Sequence, residues 1–170
     1  MRKLWLAFPL ALLLAACTLT IDISQGRIPG LYVKILGYET EYQDAKGRSY
    51  ICNNTFTAGR YNFRFEGDLK RWKSVFVGQT TGERSTVSTY VYGDNTYVEN
   101  PPGDIQVNFA FGPGTAPYLV SGQQMSKIVV VPTPNIIGYT QLELTFYNSA
   151  DSSGKVLLKG IPVIDNCPNP

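Results

Sequence analysis

Histidine is absent from all 170 residues. That absence removes the commonest general base and the commonest metal ligand at once, and with them most hydrolase triads and the usual zinc shells. Cysteine is almost as scarce: Cys17, Cys52 and Cys167 are its only occurrences, and none is close enough to another to form a metal or redox motif. A glycine-rich phosphate loop, an amphipathic membrane helix and any long helical periodicity are missing as well. Excess charge of one sign is also lacking, with 15 basic against 13 acidic side chains. A nucleic-acid reading therefore has no electrostatic support. Paired carboxylates remain to be weighed, Glu66 with Asp68 or Glu99 with Asp104, but both pairs sit beside turns, where acids are ordinary. Calcium would have to draw on Asp94, Asn95, Glu99 and Asp104 around one loop region, without the spacing of any calcium loop. The expectation is no enzyme, no cofactor and no metal.

What is present begins at the N-terminus. Arg2 and Lys3 precede a run of apolar residues over 4–14, interrupted only by Pro9 and ending in small residues. This is the shape of a signal peptide, well short of the roughly 20 apolar residues of a membrane-spanning helix. It closes on Leu14-Ala15-Ala16-Cys17. That stretch resembles the lipobox of bacterial lipoproteins, in which a branched apolar residue and two small ones precede the cysteine that is lipidated. The resemblance implies that Leu14, Ala15 and Ala16 are read by the signal peptidase and that residues 1–16 are removed. Cys17 then begins the mature chain and carries a diacylglyceryl group, with palmitate as a typical acyl chain. A single domain over 17–170 would be held in the cell envelope through this anchor. Thr18 follows the cysteine in place of the aspartate that tends to retain a lipoprotein in the inner membrane, so the resemblance implies the outer membrane where one exists. Loss of Arg2 and Lys3 leaves 13 basic and 13 acidic side chains on the mature chain.

With Cys17 lipidated, Cys52 and Cys167 are the remaining thiols, and in an oxidising compartment they are expected to form a disulfide that pins the C-terminal tail. The rest reads as strands. Residues 60–66 alternate most cleanly, with Tyr61, Phe63 and Phe65 on one face and Arg60, Asn62, Arg64 and Glu66 on the other, so one face must be buried. Further strands are expected over 18–24, 31–39, 48–52, 69–77, 85–92, 96–99, 105–111, 118–120, 127–131, 141–148, 155–158 and 161–164, with Gly26, Pro29 and Gly30 forming the first turn. Residues 69–77 are expected to pair back on 60–66 as a hairpin, 85–92 on 96–99, and 141–148 on 155–158. Pro162 places the last strand at an edge. About ten short strands, without helical crossovers, predict an all-β, antiparallel, two-layer sandwich of 8–10 strands, with a closed or half-open barrel as the alternative.

Tyrosine exceeds expectation, at 11 residues. Tyr90, Tyr92 and Tyr97 fall in one expected hairpin, with Tyr118 nearby, and are the candidate partner-binding residues, because amphipathic rings suit protein or sugar contacts. Arg60, Arg64, Lys70, Arg71 and Lys73 form a basic cluster in sequence, and no lysine or arginine occurs over 85–126. The functional expectation is a lipid-anchored envelope domain that binds or scaffolds another envelope protein or glycan without catalysis. A small hydrolase or carbohydrate-active domain using carboxylates is the alternative, and a half-open barrel carrying an apolar ligand is the third reading. Strand-like alternation directly after Cys17 also predicts that the domain sits close to the membrane.

Overall fold

A computed structural model describes residues 25–114, 125 and 127–168. The signal segment, Cys17, the strand expected over 18–24 and Tyr118 lie outside the described residues. Among the described residues twelve strands follow one another: β1 (Gln25–Ile28), β2 (Leu31–Thr40), β3 (Tyr42–Gln43), β4 (Ser49–Cys52), β5 (Thr57–Gly67) and β6 (Arg71–Gly78). Then come β7 (Ser88–Val91), β8 (Val98–Glu99), β9 (Asp104–Phe111), β10 (Val129–Val130), β11 (Ile136–Tyr147) and β12 (Ser153–Ile164). They form two sheets, one of five strands in the order β1-β2-β5-β9-β8 and one of seven in the order β10-β3-β4-β12-β11-β6-β7. Neither closes on itself, and the two pack face to face as a sandwich.

Alternation explains the packing. Tyr61, Phe63 and Phe65 of β5 and Ile105, Val107, Phe109 and Phe111 of β9 point inward from the five-stranded sheet, and Trp72, Phe76, Leu142, Leu144, Phe146, Val156 and Leu158 oppose them in one core. Phe63 meets Trp72 edge-on with ring centroids 5.2 Å apart, and Phe76 lies 4.9 Å from Phe109. Each such ring contributes about 1.5 to 3 kcal/mol through burial, so these cross-sheet contacts hold the layers together. A smaller cluster, Tyr42, Tyr50, Cys52, Val131, Ile164 and Cys167, fills one end. At its centre Cys52 and Cys167 are disulfide-bonded, their Cα atoms 6.0 Å apart.

Several expected pairings are corrected. Residues 60–66 and 69–77 do form strands, but β5 and β6 belong to opposite sheets. Gly67 turns the chain at a φ of 100°. Asp68 then donates its N–H to the carbonyl of Gly30, in the β1–β2 turn of the first sheet, and Lys70 donates its N–H to that of Tyr147 in the second. The expected pairing of 85–92 with 96–99 fails in the same way: β7 pairs with β6, and β8 pairs with β9. Gly26 belongs to a strand rather than a turn, since β1 pairs with β2 around Pro29 and Gly30. Pro162 is not at an edge, because β12 lies between β4 and β11. β4 joins β12 only at Val163 and Ile164, so the proline lies just before the strand gains its second neighbour. The hairpin expected from 141–148 onward is present as β11–β12. Most pairings are antiparallel, and two, β12 with β4 and β10 with β3, are parallel.

Candidate functional site

The crossover from β7 to β8 forms a rim where the two sheets meet. Tyr90, Tyr92 and Tyr97 all belong to it, but with different roles. Tyr90 faces inward at 8% exposure and stacks on Trp72, with centroids 5.1 Å apart and planes at 12°. Its ring is part of the core, and burial pushes its phenol above the ordinary tyrosine range. Tyr92 is exposed, meets Phe65 edge-on at 5.1 Å and donates its hydroxyl to Glu99 Oε1 at 3.1 Å. Tyr97 accepts the Gly93 N–H at 2.7 Å and touches Trp72. Outside these rings stand Val87, Val91 and Val98, at 52%, 46% and 50% exposure. Alternation with buried Tyr90 turns Val91 of β7 toward solvent, and Val87 just before the strand is exposed as well, beside the polar 93–96 turn.

A second feature crosses the outer face of the five-stranded sheet. Register places Asn62 opposite Gln106 and Gln106 opposite Val98, while Asn62 faces Gly37 beside Leu36, where β2 carries a bulge. Leu36, Asn62, Gln106 and Val98 thus form one row perpendicular to the strands. They line a trough of about 450 Å³ that also includes Tyr38, Glu39 and Asp104. On one side Arg64 grips Asp104 through two bonds of 2.6 and 2.7 Å, and beyond the other side Arg60 pairs with Glu39.

The basic cluster seen in sequence is divided by the fold. Arg60 and Arg64 belong to β5, whereas Arg71 and Lys73 belong to β6 in the other sheet. Arg71 and Lys70 pair with Asp151 at 2.6 and 3.2 Å. The acids weighed for catalysis or calcium have partners too. Asp68 accepts the Ser149 hydroxyl and N–H, and these bonds hold it below the usual carboxylate range. Asp104 is lowered by Arg64, and Glu99 accepts the Gly103 N–H as well as Tyr92. Glu41 is pushed up by burial and accepts the Ala58 N–H, at a distance in sequence from any of the paired acids. Among the described residues no three of Cys, Asp or Glu gather as metal ligands.

At the disulfide end, a pocket of about 310 Å³ lies between the 78–83 turn and Ile137–Thr140, with Ile51, Glu83, Phe111 and Val163 among its lining residues. Residue types alone do not point to the trough: only cross-strand register brings Leu36, Asn62, Gln106 and Val98 together. No protein-family model matches this chain, and no curated protein matches it.

Proposed function

We propose that this chain is a lipid-anchored, non-enzymatic domain of the cell envelope that binds or scaffolds another envelope component, in the outer membrane where one exists. The lipobox-like Leu14-Ala15-Ala16-Cys17 supplies the anchor. The Cys52–Cys167 disulfide suits an oxidising, exported setting. The observation that carries the binding role is the exposure of Val87, Val91, Tyr92 and Val98 along and beside the β7–β8 crossover, with Val91 on the outer side of the seven-stranded sheet and Val98 on that of the five-stranded one. Exposed apolar and tyrosine side chains are the material of interface centres. A hydrolase would need a carboxyl held protonated near neutral pH beside an ionised one. Asp68 and Asp104 are displaced in the opposite direction, which favours the binding reading.

Photo-crosslinking in intact cells tests it. A photoreactive residue at Val87 or Val91 is expected to trap the same envelope component, and one at exposed Lys46 is expected to trap nothing comparable. Adducts of equal yield from all three positions, or none from the rim, would overturn the assignment.

A further inference from the structure

From the cross-strand row Leu36, Asn62, Gln106 and Val98 we infer that the outer face of the five-stranded sheet binds a neutral, hydroxyl-rich glycan lying across the strands. The inference deepens the envelope-binding reading by naming one partner class, and it relies on that reading only for where such a glycan is met.

The floor carries the argument. Asn62 and Gln106 are opposite one another in the β5–β9 register, and neither side chain has a hydrogen-bond partner among the described residues. Each amide offers both a donor and an acceptor in a plane, the combination that adjacent sugar hydroxyls satisfy in turn. The ends of the row are apolar, with Leu36 at 39% and Val98 at 50% exposure, and supply contact for the C–H faces of sugar rings. Three inter-strand steps separate Leu36 from Val98, a span of about 14 Å, which suits a short oligosaccharide segment rather than a single small molecule.

Charge decides which glycan. Both arginines beside the trough are already neutralised, Arg64 by Asp104 and Arg60 by Glu39. An acidic ligand would have to displace a carboxylate from a bidentate partner, and a basic one would meet the guanidinium groups. A neutral chain loses nothing to either pair and gains hydrogen bonds from their outer edges. An added peptide strand is a poorer occupant, because strand addition runs along a sheet edge, whereas this row crosses the face perpendicular to the strands, from β2 to β8.

The test uses the lipidated protein in a sugar-free detergent, titrated with neutral gluco-, malto- and chito-oligosaccharides and with an acidic oligogalacturonate. At least one neutral series is expected to bind saturably, with little change on adding salt. Asn62→Ala and Gln106→Ala are each expected to weaken that binding by about tenfold, the loss of a hydrogen-bonding amide. Thr145→Ala, on the other sheet, should leave it unchanged. Equal urea midpoints verify that the variants are folded. Should either variant fail to fold, the side-chain amide resonances of Asn62 and Gln106 in the wild type, which are expected to shift on binding, read the same contact. No saturable binding of any neutral series, binding unmoved by both variants, or binding confined to the acidic oligomer and lost in salt would each overturn the inference. Rim crosslinks and lipidation would be unaffected by such a failure, so it would not be confused with failure of the envelope reading.

Discussion

The ring of Tyr97 meets the indole of Trp72 edge-on, with centroids 5.0 Å apart and planes at 69°. Trp72 belongs to the seven-stranded sheet, and Tyr97 lies on the segment leading into β8 of the other. The contact therefore fastens the crossover where the chain passes between layers, with Tyr90 stacked on the same indole. Trp72→Ala is expected to cost about 3 to 5 kcal/mol, as for other large aromatic truncations in cores. Tyr97→Ala removes a half-buried ring and its bond to Gly93, and is expected to cost about 1 to 2 kcal/mol while weakening rim crosslinks. Urea denaturation of both variants checks the order.

Reduction should act on one end of the molecule first. The Cys52–Cys167 bond joins residues 115 apart in sequence, for which the chain-entropy estimate is at most about 5 kcal/mol. Cys52→Ser with Cys167→Ser is expected to lower the urea midpoint and to speed amide exchange in β4 and the end of β12. The β5–β9 pair should remain protected.

Two glycines are required by close approach. A Cβ on Gly59 would lie 2.5 Å from the Phe109 ring and 2.8 Å from the Glu39 carbonyl oxygen, and one on Gly67 would run into the Gly30 carbonyl at a backbone φ of 100°. Gly59→Ala is expected to cost about 1 to 3 kcal/mol, the usual range for overpacking. Gly67→Ala should cost at least as much, since backbone cannot rotate aside. Gly30→Ala provides a contrast, having open space at its Cβ but a positive φ of 74°, and should cost less than Gly67→Ala. Thermal or urea unfolding ranks all three.

Acid should destabilise the protein through Glu143. Burial alone would raise its carboxyl, but hydrogen bonds from Arg84 and Lys155 more than offset this and leave it below the ordinary value. A carboxyl lowered by folding contributes stability above its unfolded pKa and loses it as pH falls through the folded one. Glu143→Gln is accordingly expected to flatten the acid limb of a urea-midpoint profile. Glu41, pushed up by burial, works in the other direction: its contribution declines as pH rises from the unfolded value through the folded one. Glu41→Gln keeps an acceptor for the Ala58 N–H and should be neutral or stabilising near pH 7. A steeper acid limb in Glu143→Gln would contradict the first assignment.

Strand positions were legible where alternation was strong, as in residues 60–66 and 105–111, because one buried face imposes period two on the sequence. Partners were not. Residues 60–66 and 69–77 have apolar faces that fit a hairpin or two opposed sheets equally well, and the choice is made by the backbone at Gly67 and the bonds to Gly30 and Tyr147. Tyr90 and Tyr92 likewise look equivalent in sequence, yet only Tyr92 reaches solvent. The disulfide was legible by elimination, since Cys52 and Cys167 remain once Cys17 is assigned to lipid. The trough was not legible, because a bulge at Ile35/Gly37 and a two-residue β8 create it, and neither leaves a composition signal.

Metabolic labelling with a clickable fatty acid, comparing wild type with Cys17→Ala, tests the central claim most directly. The wild type is expected to take up label and to run as the processed form. Cys17→Ala is expected to take up none and to accumulate as precursor. An unlabelled wild type together with normal cleavage of Cys17→Ala would contradict the anchored-envelope account.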